Sequence, residues 1–202
     1  MERIIAYIDG YNLYHGLKSE GWKWAYWLNI HLMITNLLSP DQRLITTKYF
    51  TTRVSKPEDK RLRQQKFLEA LETIPEVKFF YGKYIPEDIT CRQCGHTYTT
   101  YHEKMTDVNI AVEMLTDAMK NKFDAAVLVS GDSDLVNLVH RVKEVFNKKV
   151  IIVFPPKRKP RTLRDAANII VDIDAKLLSK SLFPDEVKKQ GGYILRKPDK
   201  WK

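Results

Sequence analysis

Two rhythms of apolar and polar positions alternate along this chain. The first is a short, nearly continuous apolar run. Arg3 to Ile8 (Ile4, Ile5, Ala6, Ile8) is such a run and predicts a central strand buried on both faces. Leu44 to Thr52, Val77 to Ile85, Ala125 to Val129 and Lys149 to Phe154 read as further strands, and Ile169 to Ile173 as a short last or edge strand. The second rhythm has helical spacing. Ile30 to Leu38 is a helix stopped by Ser39-Pro40. Lys56 to Thr73 is another, with Pro57 near its start and Leu62, Phe67, Leu68 and Leu71 on one face. Met105 to Lys122 is predicted to turn Val108, Ala111, Val112, Leu115 and Met119 to the core. A helix carrying Leu135, Val136, Leu138, Val139, Val142 and Val145 follows the strand at Val127, and Arg161 to Ala167 is a short one. Strands alternating with helices predict an α/β fold: a Rossmann-like parallel sheet flanked by helices, joined by right-handed crossovers.

Three stretches stand outside that rhythm. Residues 86–102 form an insertion containing Cys91-Arg-Gln-Cys94-Gly95-His96 and then His102, with Thr97 to Tyr101 strand-like, so a small Cys-containing hairpin is expected. Trp22-Lys23-Trp24-Ala25-Tyr26-Trp27 is unusually aromatic and reads as a packed loop, with a base-stacking platform as the functional alternative. Beyond the last strand the pattern fades. One domain is expected over residues 1–178, with residues 179–202 as a basic, flexible tail.

Charge sharpens this picture. The chain of 202 residues carries a net charge of +9. From Pro155 onward, 13 Lys and Arg face 6 Asp and Glu, so +7 lies at the end of the chain and +2 in the rest. A near-neutral body with a basic end fits a polyanion partner, nucleic acid first, or else a solvated tail. No apolar run approaches the ~20 residues of a membrane helix, and Met1-Glu2-Arg3-Ile4-Ile5 lacks signal-peptide design. A cytoplasmic protein without a membrane partner is expected, its two cysteines reduced or metal-bound.

Candidate chemistry gathers at strand ends. Asp9 closes the first strand, followed by Gly10, which permits a sharp exit, and Asn12, which can cap or coordinate. Val127-Leu128-Val129-Ser130-Gly131-Asp132-Ser133-Asp134 reads as strand, tight turn and helix, with two like charges at the carboxyl end of a buried strand. Asp107 opens the helix that leads into that strand. Each carboxylate alone reads as a helix cap. If the strands at 4–8 and 125–129 are neighbours, Asp9, Asp107 and Asp132 together read as an oxygen-only site for Mg²⁺ or Mn²⁺.

These residues also carry a resemblance. Ile8-Asp9-Gly10-Tyr11-Asn12-Leu13, Glu103-Lys104-Met105-Thr106-Asp107-Val108 and Val129-Ser130-Gly131-Asp132-Ser133-Asp134 resemble, in order, the three signatures of the NYN domain family of PIN-like nucleases, its bacterial LabA-like branch most closely. The resemblance runs from about residue 3 to about residue 173. It implies a Rossmann-like sheet and a metal-dependent endoribonuclease, with RNA as partner. Asp9, Asp107 and Asp132 would hold Mg²⁺ or Mn²⁺, Asn12 would position water or a phosphate oxygen, and Asp134 would be a further acidic group. Lys104 would face the scissile phosphate, or be a solvated lysine at a helix start. Asn168 stands where an acidic residue is half expected. Two other classes stay open: a catalytically weak RNA- or protein-binding module on a nuclease fold, and a phosphohydrolase of small molecules.

Two further sets of residues remain. Cys91-x-x-Cys94-Gly95 has zinc-knuckle spacing. Cys91, Cys94 and His102, with His96 or a partner chain, would complete a structural Zn²⁺ site; the alternative is a reduced pair in a hairpin. Lys157, Arg158, Lys159 and Arg161 follow the last core strand, where they would bind flanking phosphates or lie solvated. A homo-oligomer or a regulatory protein partner fits the sequence equally.

Overall fold

The computed structural model describes residues 1–201. Its centre is a six-stranded sheet, all parallel, in the order β3-β2-β1-β6-β7-β8. These strands are β1 (Glu2–Asp9), β2 (Gln42–Thr51), β3 (Val77–Tyr81), β6 (Ala125–Val129), β7 (Lys149–Phe154) and β8 (Ile169–Asp172). The inner strands β1, β6 and β7 are the runs that lack alternation, because a strand covered on both faces must be apolar at every position. On one face lie α1 (Gly10–Ser19), α2 (Ile30–Thr35) and α3 (Glu58–Leu71), packed over Ile4, Ala6 and Ile8. On the other, α4 (Thr106–Met119), α5 (Val136–Glu144) and α6 (Arg161–Ala166) cover Ile5 and Tyr7.

Strand order decides where a ligand can sit. From β1 the chain first winds one way, to β2 and β3. It later returns to β6 beside β1 and winds the other way, to β7 and β8. The switch point therefore lies between β1 and β6, with Ile8 paired to Val129, and the crevice beyond their carboxyl ends opens there. Asp9 and Asp132 flank that crevice.

The single strand expected over Val77 to Ile85 is two. β3 ends at Tyr81, and after Gly82 the chain turns out of the sheet into β4 (Lys83–Thr90), which pairs antiparallel with β5 (Thr97–Lys104). A side chain at Gly82 would meet the Lys104 carbonyl at 2.7 Å and the Thr52 and Thr106 hydroxyls at 2.7 and 2.8 Å, so the crossing needs glycine. The hairpin is thus longer than the 86–102 insertion.

Helix α4 is rotated from the expected face. Ile110, Met114, Asp117 and Ala118 are buried, Ala111 and Leu115 pack partly against the core, and Val108, Val112 and Met119 are exposed. A buried polar network sets this rotation. Asp117, 1% exposed, accepts hydrogen bonds from Tyr7 Oη (2.8 Å) and Lys48 Nζ and pairs with Lys122 (3.1 Å), while Lys48 also reaches Glu113 at 2.6 Å. Leu62 and Val145, assigned to buried faces of their helices, are exposed as well.

The segment from residue 179, expected as a flexible tail, is folded onto the body through its last described residue; Lys202 lies outside the described residues. β9 (Glu186–Lys188) and β10 (Ile194–Arg196) form a small antiparallel pair after α7 (Ala175–Ser179). Val187 and Leu195 are buried, and Trp201 packs against Tyr26, Trp27 and Phe67 at ring separations of 5.8, 6.2 and 6.5 Å. Three apolar residues widely spaced in a polar stretch carry no periodicity, which is why they escape a pattern search. The Trp22–Trp27 stretch is a packed corner: Trp27 is fully buried, while Trp22, Trp24 and Tyr26 lie partly buried against the core. No helix among the described residues is long and apolar enough to cross a membrane.

Candidate functional site

Asp9 is the hub of the crevice. It ends β1, is 1% exposed, and serves as N-cap of α1. Its Oδ1 accepts the Asn12 amide N–H at 2.9 Å; its Oδ2 accepts Asn12 Nδ2 at 2.6 Å and Ser130 Oγ at 2.8 Å. Burial pushes the Asp9 carboxyl up, against the lowering effect of the hydrogen bonds from Asn12 and Ser130. Ser130 Oγ in turn accepts the Asp132 amide N–H at 3.1 Å, and Asp132 Oδ1 caps the Asp134 amide at 3.0 Å. On the other side, Arg158 Nη1 donates to Asn12 Oδ1 at 3.1 Å. One hydrogen-bonded chain thus runs from Arg158 through Asn12, Asp9 and Ser130 to Asp132, locking the first turn after β1 to the first turn after β6.

Gly131 makes this closeness feasible. A side chain there would lie 2.5 Å from Arg158 Cβ and 2.6 Å from the Arg158 carbonyl. The loop after β7 can rest on the turn after β6 only because position 131 has no Cβ.

Asp107 enters from the first turn of α4. Its carboxyl is pushed up to about 6, by burial first and then by the negative charges of Asp9, Asp132, Glu103 and Asp134. Asp107 thus lies within electrostatic reach of the other four acids. Glu103, at the end of β5, is a member that sequence reasoning missed. Its Oε1 accepts hydrogen bonds from Thr52 Oγ1 (2.7 Å) and Thr106 Oγ1 (2.6 Å), which aim it at the crevice. It stands in the second signature, but as a glutamate in an exposed-looking hairpin nothing in its neighbours marks it. Ser130 was missed for a similar reason, since its role depends on the strand beside it.

The donor set suits a hard divalent cation. All five side chains offer carboxylate oxygens, and among the described residues none of the five forms an ion pair. Among the described residues, no three His, Cys, Asp or Glu side chains come together closely enough to hold a metal ion between them. An ion here would be held by one or two carboxylates and keep most of its water, as Mg²⁺ does.

A stability signature follows. Asp107 holds its proton more tightly folded than unfolded, where the reference is 3.8. Its contribution is therefore complete below about 4 and is lost as pH rises through about 6. Metal-free protein is expected to lose about 1 kcal/mol across that window, solvent screening of this half-exposed group allowed for. Denaturant titrations in EDTA at pH 4.5 and 7.5 check it: Asp107→Asn should remove the loss, and an equal loss in the variant would place the effect elsewhere.

The remaining candidates are scattered. Lys104 is exposed at the end of β5. Of the basic loop, only Arg158 reaches the acids' network. Lys157 binds the Ser19 carbonyl (3.1 Å) and Glu20 (3.6 Å), Lys159 binds Asp172 (2.9 Å), and Arg161 lies 3.8 Å from Asp165. Asn168 ties down the edge of the sheet, accepting the Val150 amide at 2.9 Å. In the hairpin, backbone N–H groups of Cys94 and Gln93 hold the Cys91 thiol below its usual range, and Gly95 takes a left-handed conformation (φ +69°). His96 stacks on Tyr98, and His102 lies 3.3 Å from Glu87.

Fold and site together define a doubly wound α/β domain of PIN-like type, with acidic side chains at the switch point. The NYN domain family matches residues 3–174, and the chain belongs to that family. It is 26% identical over 192 residues to 6-hydroxy-3-succinoylpyridine 3-monooxygenase HspA of Pseudomonas putida (strain DSM 28022 / S16), across 79% of this chain and 62% of that protein. The chain thus spans less than two thirds of that relative's length. A crystal structure of a protein of unknown function from Vibrio parahaemolyticus RIMD 2210633 has the same fold, with a TM-score of 0.64 at 23% identity over 90% of this chain and 96% of that one.

Proposed function

We propose that this protein is a metal-dependent endoribonuclease that hydrolyses phosphodiester bonds at the crevice between β1 and β6. The observation that carries the reading is the placement of Asp9 and Asp132 at the switch point, bridged through Ser130, with no protein cation ion-paired to either of them among the described residues. Membership in a family of nuclease fold supports it. Asp9, Asp107 and Asp132 are the carboxylates that would hold Mg²⁺ or Mn²⁺, one or two of them directly and the rest through its water. When bound, the ion supplies a Lewis acid for the phosphate and lowers the pKa of water at the site.

The chain's own groups do the positioning. Asn12 has its amide fixed by Asp9 on one side and Arg158 on the other, so it presents one orientation to substrate. Arg158 uses one of its five guanidinium donors on Asn12, which leaves others for a phosphate oxygen. Asp107 and Glu103 close the side of the crevice opposite the turn after β6. Attack by water would leave a 5′-phosphate and would not need the ribose 2′-hydroxyl.

The test is cleavage of an end-labelled single-stranded RNA by the purified full chain. Internal cuts with Mn²⁺ or Mg²⁺, and none in EDTA, are expected. RNA left intact with both metals would overturn the reading. A second reading has the likeness to HspA behind it, whose name gives it a substituted pyridine as substrate. That reading expects turnover of such a compound and none of RNA.

A further inference from the structure

A cleft of about 810 Å³ adjoins the acid site: Glu103 lines it, and so does Gly10, the residue after Asp9. Its charge is the reverse of its neighbour's. Six Lys and Arg side chains line it against one carboxylate, Glu103, at the end nearest the acids. Lys18, Lys23, Lys56 and Lys60 are exposed and form no ion pair among the described residues, while Arg63 and Lys200 share a single partner, Asp59 (2.9 and 3.4 Å). These cations come from α1, the turn after it, the start of α3 and the C-terminal segment. None belongs to the 157–161 loop, where Lys157 and Lys159 are already paired with Glu20 and Asp172.

The walls are aromatic. Tyr11 and Tyr14 stand on α1, 40% and 41% exposed, and Tyr101 faces them from the hairpin at 55%. Tyr84 sits beside them: burial, together with Glu103, Tyr11 and Tyr14, pushes its hydroxyl up to about 12. Trp201 closes the floor against Tyr26. Half-exposed rings interleaved with unpaired lysines are the surface that single-stranded nucleic acid uses, since an unpaired base offers both faces for stacking and its phosphates need cations at short intervals. A cluster of carboxylates by itself repels RNA, so a strand reaching it needs such a cationic approach.

We propose that this groove holds the single-stranded RNA flank beside the scissile phosphate, stacking its bases on Tyr11, Tyr14, Tyr84 and Tyr101 and binding its phosphates through Lys18, Lys23, Lys56 and Lys60. The inference rests on the nuclease reading for its orientation toward the acids, but the groove itself is tested by binding alone.

The probe is a fluorescein-labelled single-stranded oligoribonucleotide. Its anisotropy is followed on full-length protein carrying Asp132→Asn, which keeps the strand intact. Lys56→Glu with Lys60→Glu is expected to weaken binding at least about tenfold and to reduce the slope of log K against log salt by about 1.4, two contacts at about 0.7 each on a single strand. Tyr14→Ala and Tyr101→Ala should each cost about tenfold at unchanged salt slope, a split that a merely unfolded variant would not show. A matched duplex should bind more weakly than the single strand. Wild-type affinity and slope in the lysine variant, while the wild-type protein still cleaves RNA, would sink the groove and spare the nuclease. Binding that depends on the groove with no cleavage under any metal would do the reverse. Saturable binding of an aromatic carboxylate such as 6-hydroxynicotinate, with no RNA bound, would overturn both.

Discussion

Replacing Asp132 by asparagine is expected to abolish cleavage while leaving the fold intact. The side chain's structural duty is modest, since its Oδ1 caps the Asp134 amide. Asparagine caps as well as aspartate does. What is lost is a negative oxygen facing the crevice. Lewis-acid stabilisation of a phosphate is worth several kcal/mol, so the rate should fall at least about a hundredfold. Denaturation midpoints within about 0.5 kcal/mol of wild type should accompany it. Asp9→Asn would be a poorer probe, because Asp9 Oδ2 accepts two hydrogen bonds and an amide nitrogen placed there would face donors. An Asp132→Asn protein that cuts at wild-type rate would remove this carboxylate from the reaction.

The second large effect is on stability and lies beyond the crevice, at the other end of α4. Asp117→Ala is expected to cost about 3–5 kcal/mol, because it leaves Lys48, nearly buried, with Glu113 as its remaining acidic partner and strands the Tyr7 hydroxyl. Burial alone would raise the Asp117 carboxyl, but hydrogen bonds from Lys48, Tyr7 and Lys122 outweigh it and hold it below the usual range. A carboxyl depressed by folding stabilises above its unfolded pKa and stops doing so as pH falls through its folded one. The gap between wild type and variant should therefore be full at neutral pH and narrow below about 4. Urea titrations at both pH values check this. Glu113→Gln, at a side chain 30% exposed, should cost far less. Equal costs for the two would show that Lys48 does not depend on the deeper partner. Asp107 lies on the same helix, so this network also holds that acid at the crevice.

Much of this was readable along the chain. The runs at Ile4, Val127 and Val150 are apolar at every position, and only a strand covered on both faces needs that; the alternation with helices then made the sheet parallel. Asp9, Asp107 and Asp132 were found because each directly follows, or opens, an element whose boundary is a local matter of glycine and capping. Other features have no local signature. That β1 and β6 are neighbours is a property of strand order. Only that adjacency lets Ser130 bridge Asp9 and Asp132 and draws Arg158 over Gly131 to Asn12. The face of α4 was misread because periodicity ranks Val108 and Val112 above Asp117. Tertiary structure reversed that ranking by supplying Lys48 and Tyr7 as partners for a buried charge. The basic tail was misread for the same kind of reason: Val187, Leu195 and Trp201 find a surface to cover only once the sheet has formed. Local preference determined the elements and the residues at their ends; which of those ends meet was decided by the packing of elements far apart in the chain.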